Sequence, residues 1–398
     1  MNYIFRDKLK NTILKTINRL IPKKRNQVLF ASVPDFSDNA KIFYDYLINE
    51  RKLSKFNFVW LVSDKQRILK FGNLAYQIYY ERSIAGLFNI FRSKYIITTH
   101  LHYCLFKTRN QFLLNLWHGM PLKAMGFIDK SEDEKSLNKF KKCTNSIDLM
   151  IATSPLMKNI LVSCFYMDPR KVVITGQPRN DKLFSAKGRA NLADIVPNFS
   201  EYDKIVFFIP TFRIWDDRVE GDPFYNKLFT SEELHSFLKK NRILLILKLH
   251  PFEEEKIISQ YSFSDKPNLM LLPNSKLQEK QCDIYDILGG IDILITDYSS
   301  IYFDYLLINR PIIFMPVDLE EYSKKRGFVL EPYEFWTPGP KVTTIEKLVE
   351  ELDVFIQNPD YYMEERKLIN SLVNTYSDDH SCERVWESMR DRLLNQVT

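Results

Sequence analysis

The chain has 398 residues, too many for one ordinary domain, and its hydrophobic content of 45% excludes a disordered polymer. Residues 1–25 hold eight cations against the single acid Asp7, so a net charge of +6 leaves −1 for residues 26–398. That near-neutral body argues against nucleic-acid binding, and five scattered cysteines (Cys104, Cys143, Cys164, Cys282, Cys382) without a CxxC spacing argue against a disulfide framework or structural zinc and fit a reducing cytosol.

In the basic segment, Phe5, Leu9, Ile13, Ile17, Leu20 and Ile21 recur at helical spacing among Arg6, Lys8, Lys10, Lys15 and Arg19. Residues 1–25 are therefore expected to form a basic amphipathic helix. It either packs its apolar stripe on the body or lies on an anionic membrane, and the density of cations favours the membrane. The charges interleave with the apolar residues, which is not the pattern of a signal peptide. With no run of about 18 apolar residues, no transmembrane helix is expected.

From there, short apolar runs alternate with helical patterns. Strands are predicted at 27–32, 56–63, 93–99, 111–117, 149–153 and 171–175, then at 204–209, 242–249, 268–272, 291–296 and 311–315. Unbroken apolar strands between helices signify parallel sheets covered on both faces. A polar stretch near 185–202 separates the two blocks. The expected architecture is α/β: two doubly wound, Rossmann-like domains facing a cleft, spanning 26–190 and 191–372, with a C-terminal helix at 373–398.

Ligands of open parallel sheets bind beyond the carboxyl ends of the strands, and polar motifs fall at those ends. In the first block they are Trp117-His118-Gly119 and 176–181 (GQPRND), with Arg179 and Asp181. His118, beside a glycine that permits close approach, is placed to take a proton from a hydroxyl, although a lone histidine is as readily satisfied in a core. The pair His100 and His102 lacks a neighbouring Cys or carboxylate to complete a metal set, so no metal site is expected. In the second block come 210–213 (PTFR), 248–251 (KLHP) and 296–300 (TDYSS). Arg179 and Arg213 carry planar forks suited to phosphate, or form ion pairs. Lys248 and His250 share a strand face, and Lys248 reads equally as an edge-strand cation. Ser299 or Ser300 would cap the helix that follows, giving hydroxyls and free N–H groups for phosphate, or a cap without a ligand. The acidic pair Asp216-Asp217 reads as solvated loop.

As an ordered set, 38–41 (DNAK), 116–123 (LWHGMPLK), GQPRND, PTFR, KLHP and 295–305 (ITDYSSIYFDY) resemble the CDP-glycerol glycerophosphotransferase family of teichoic-acid and capsule biosynthesis. The resemblance implies a two-domain GT-B fold at the cytoplasmic face of the membrane and transfer of an alditol phosphate from CDP-glycerol or CDP-ribitol to a lipid-linked polymer acceptor, with release of CMP and without a cofactor. It makes His118 the base and gives His250 a catalytic part in the other domain, holding the diphosphate with Arg213 and offsetting charge on the transferred phosphoryl group. Arg213, Lys248, Thr296, Asp297, Ser299 and Ser300 would hold the donor phosphates, and Arg179, Asp181 and Asp129 are candidate substrate contacts. Two departures stand out: Gly126 and Asp129 are three residues apart where the family commonly has two, and Gln177 stands where an aromatic is common. The competing readings are a nucleotide-sugar glycosyltransferase of the same fold and a non-catalytic membrane scaffold.

Overall fold

The computed structural model describes residues 2–51, 53, 55–66, 68, 77–211, 223–263 and 266–394. Two compact units emerge. The first comprises Met1–Pro121, Met125–Asp181 and Asp378–Thr398, and the second Leu122–Ala124 and Lys182–Ser377.

In the first unit seven strands form one parallel sheet: β1 (Lys24–Ala31), β2 (Asn57–Val62), β3 (Gln77–Tyr80), β4 (Ser93–Thr98), β5 (Phe112–Asn115), β6 (Leu149–Ala152) and β7 (Val172–Ile174). Their order is β3-β2-β1-β4-β5-β6-β7, with Phe30 opposite Trp60 on one side and Ile97 on the other. The direction of winding reverses between β1 and β4, which is where a doubly wound sheet opens its crevice. β3 escapes the sequence pattern because QIYY is short and half-exposed at the sheet edge.

The boundary between the units falls after Asp181, earlier than the polar stretch suggested. The last helix, Ser381–Leu394, belongs to the first unit, because Val385, Trp386 and Met389 enter the same core as Phe30, Trp60 and Leu114. Gly176, at φ 78°, allows its approach: a Cβ there would lie 2.5 Å from Ser381 Oγ.

The second unit repeats the plan with five parallel strands: β8 (Lys204–Phe208), β9 (Ile243–Leu247), β10 (Leu269–Leu271), β11 (Ile293–Thr296) and β12 (Ile312–Phe314). Their order is β10-β9-β8-β11-β12, and winding reverses between β8 and β11. Every residue of β9 is buried, which explains its unbroken ILLIL run. The core joins Val206, Phe208, Leu245, Leu247, Ile293 and Ile295 to Ile345, Leu348 and Leu352 of the helix Ile345–Gln357.

The N-terminal segment is a helix, Asn2–Leu20. Buried Asn18 ties it down through Nδ2, which donates to Phe106 O and Gln111 Oε1, both at 2.8 Å. Ile13, Ile17 and Leu20 remain exposed, Leu20 at 78%, so this part of the stripe is not packed on the body. No described helix is long and apolar enough to cross a membrane.

Candidate active site

At the carboxyl edge of the first sheet, three sequence motifs hold one another. Asn39, at the start of the helix Asp38–Asn49, donates through Nδ2 to Leu116 O (3.1 Å) and Trp117 O (3.0 Å). Its Oδ1 accepts the backbone N–H of Arg179 at 3.0 Å. The Arg179 guanidinium is buried between Asp38 Oδ1 at 2.9 Å and His118 O at 2.8 Å. These bonds support a costly backbone: Trp117 has φ 48°, and a bulky residue in that region stores roughly 1–3 kcal/mol. Asn39 holds the Trp117 carbonyl and Asn115 Oδ1 holds its N–H at 2.8 Å, so the strained residue is fixed at both ends.

His118 follows directly. Its Nδ1 lies 3.1 Å from Thr99 O. A carbonyl only accepts, so in the neutral ring Nδ1 carries the proton and Nε2 is the basic nitrogen. The ring is half-buried, 4.1 Å from that of Trp117 and 4.1 Å from that of His100. A base at this position can take a proton from an incoming hydroxyl.

The three residues expected to touch substrate all have partners within the fold. Arg179 clamps Asp38 to His118. Asp181 caps the last helix, accepting Ser381 N–H and Cys382 N–H at 2.9 Å each. Burial raises the carboxyl pKa of Asp181 against those bonds. Asp129 accepts from the backbone and hydroxyl of Ser131 (2.9 and 2.6 Å) in a local turn.

The second unit places His250 immediately before the helix Pro251–Gln260, where its carbonyl accepts Glu253 N–H at 2.8 Å and Glu254 N–H at 3.0 Å. Burial, then the Lys248 charge, lowers its pKa and favours the neutral imidazole. Lys248 is not an open ammonium. It is 4% exposed, 2.6 Å from Glu254 Oε1 and 2.9 Å from Leu249 O, with its pKa lowered by burial against the carboxylate's pull. This pair braces the loop bearing His250.

At the β8–β11 switch, Asp297 Oδ1 accepts Thr211 N–H (2.8 Å) and Tyr298 N–H (2.5 Å), and Thr296 Oγ1 donates to Ile209 O at 2.7 Å. Both residues are buried and tie the end of β11 to the end of β8. Ser299 and Ser300 are half-exposed beyond them. Ser300 stands at the N-cap of the short helix Ile301–Tyr305 in αR conformation, and its hydroxyl makes no cap bond, so the expected serine cap is absent there. Arg213 and the acidic pair Asp216-Asp217 lie outside the described residues.

Asp35 lies outside the sequence motifs, yet its carboxylate accepts Ser63 N–H, Ser63 Oγ–H and Asp64 N–H at 2.9–3.2 Å and closes the end of β2. Thr99 lies outside them too, and a polar residue at a strand terminus is the sequence signal for both. His100 and His102 stack with rings 5.8 Å apart at 25° instead of converging their nitrogens, and no group of three or more His, Cys, Asp or Glu among the described residues is placed to hold a metal ion.

A family model described as CDP-Glycerol:Poly(glycerophosphate) glycerophosphotransferase matches residues 13–390. The chain is similar to a teichoic acid glycerol-phosphate transferase of Staphylococcus aureus (strain NCTC 8325 / PS 47), at 27% identity over 96% of this chain and 99% of that one. It is also similar to the ribitol-phosphate polymerase TarL of the same strain, at 29% identity over 91% of this chain and 62% of the other. Among solved structures, the wall teichoic acid polymerase TagF superposes with a TM-score of 0.79 at 20% identity, covering 100% of both chains, a likeness that establishes the fold.

Proposed function

This chain belongs to the CDP-glycerol:poly(glycerophosphate) glycerophosphotransferase family, and we propose that it transfers glycerol phosphate, or a related alditol phosphate, from a CDP-alditol to a hydroxyl of a lipid-linked teichoic-acid or capsule acceptor. The observation that carries the reading is the His118–Thr99 hydrogen bond, which makes Nε2 the basic nitrogen. Nε2 takes the acceptor's proton as that oxygen attacks the alditol-bearing phosphorus of the donor. The bond from this phosphorus to the bridging oxygen breaks, and CMP leaves with the electron pair. His250, held neutral, donates a hydrogen bond to the diphosphate as charge develops, and Arg213 with the hydroxyls of Ser299 and Ser300 holds donor phosphate.

Purified enzyme with CDP-glycerol or CDP-ribitol and a lipid-linked acceptor should release CMP with one donor and form a phosphodiester. A glycosidic product would sink the reading. His118→Ala should lower turnover by roughly 10²–10⁴.

The acceptor places the enzyme at the cytoplasmic face of a membrane. Support comes from exposed apolar residues in the first unit: Ile13, Ile17 and Leu20, and, on the adjoining helix Ile84–Arg92, Ile84 at 90% exposure and Phe88. Arg82 beside that helix is exposed, and Arg92 stacks over Phe88 at 5.7 Å. Cations around apolar side chains suit an anionic bilayer. Ile84→Glu with Phe88→Glu should weaken flotation with anionic vesicles severalfold, and unchanged flotation at low salt would remove this helix from the contact.

A further inference from the structure

The loop after β4 carries two histidines that the proposed reaction does not use. The ring of His100 lies flat on that of His118, with centroids 4.1 Å apart and planes 8° from parallel. His102 also stacks on His100, at 5.8 Å and 25°. One buried residue serves both inner rings: the Thr99 carbonyl takes His118 Nδ1, and Thr99 Oγ1 lies 2.9 Å from His100 Nδ1. Val33 N–H already donates to that hydroxyl at 3.4 Å, so its own proton is available to His100 Nδ1. The backbone beneath is pinned as well, because the His100 carbonyl accepts Thr98 Oγ1 (2.9 Å) and Asn115 Nδ2 (3.0 Å). An imidazole stacked this closely restricts rotation of its neighbour and removes water from one of its faces.

We propose that His100 is a positioning residue for the base: stacked face to face on His118, it fixes the plane in which Nε2 is presented and shields that ring from water. This rests on the reading of His118 as the base. Burial, then the proximity of His118 and His102, drops the His100 pKa to about 3, so it remains uncharged where the enzyme works and adds no positive charge beside the base. Among the described residues, the charged groups set against the stack include the Arg179–Asp38 pair behind the His118 carbonyl, and Glu81 and Asp35 acting on His102.

The test is the pH profile of kcat/KM for His100→Ala and His100→Phe, with His118→Ala alongside. Removing the ring hydrates the His118 imidazolium and raises its pKa, so the acid limb of His100→Ala should move to higher pH. Turnover should fall about tenfold through lost orientation, with KM for CDP-glycerol within about twofold. His100→Phe keeps a flat ring in place; its limb should return to the wild-type position and its kcat to within about threefold. Thr99→Val, which preserves the carbonyl to His118 but releases His100, should fall between the two and serves if the alanine variant fails to fold. An unmoved limb in His100→Ala, or equal impairment of His100→Ala and His100→Phe, would overturn the proposal while leaving the base intact. An active His118→Ala would instead overturn the base itself.

Discussion

The two units use the same device at different points of the backbone. Each carries a histidine at the carboxyl edge of a parallel sheet, and each sets a buried cation–carboxylate pair beside it: Arg179 with Asp38, and Lys248 with Glu254. In the first unit the cation also grips the carbonyl of the histidine itself, whereas in the second it grips that of Leu249, one residue earlier. Arginine can hold a carboxylate and a carbonyl through one rigid fork; lysine is a point charge and stabilises the loop as a whole. The difference teaches that the first cation grips its histidine directly, whereas the second acts one residue away, on the loop.

The sharpest way to break the comparison is to remove one carboxylate. Asp38→Ala breaks the buried ion pair with Arg179, which should cost roughly 3–5 kcal/mol of stability. Because Arg179 also orients His118, turnover should fall even under conditions where the variant remains folded. A loss of stability without any loss of turnover would show that the fork does not position the base.

Lys248→Met tests the second pair. As a brace, Lys248 should cost roughly 2–4 kcal/mol when removed, because Glu254 is left buried, and adding Glu254→Leu should recover much of that. Chemical denaturation of the single and double variants reads this out. A raised KM for the CDP donor with unchanged stability would instead make Lys248 a phosphate ligand and end the parallel between the units.

Much of the fold was legible before the structure. Apolar runs such as ILLIL and IDILI can be buried on two faces only in a parallel sheet, and the polar residues that end them mark its carboxyl edge. Direction was not legible. Arg179, Asp181, Thr296 and Asp297 have the residue types and spacing of ligand contacts, yet their side chains turn inward to carbonyls and N–H groups from other parts of the chain. A strand-end motif fixes where a residue sits, and only long-range packing decides whether it faces a ligand or a neighbouring loop. His100 shows the converse: a histidine at i, i+2 from another suggested only a metal pair, and its stack on His118 depends on β4 and β5 lying side by side.

Ser300 supplies the finest test, since it separates residues that brace the edge from those that face outward. Its hydroxyl makes no cap bond and is half-exposed, so Ser300→Ala should leave the melting temperature within about a degree of wild type, unlike a true N-cap substitution, which costs about 1 kcal/mol. If the hydroxyl meets donor phosphate, calorimetry should show CDP-glycerol binding weakened about fivefold, the worth of one hydrogen bond near 1 kcal/mol, with acceptor binding unchanged. A lower melting temperature with intact donor affinity would move Ser300 into the class of Thr296 and Asp297.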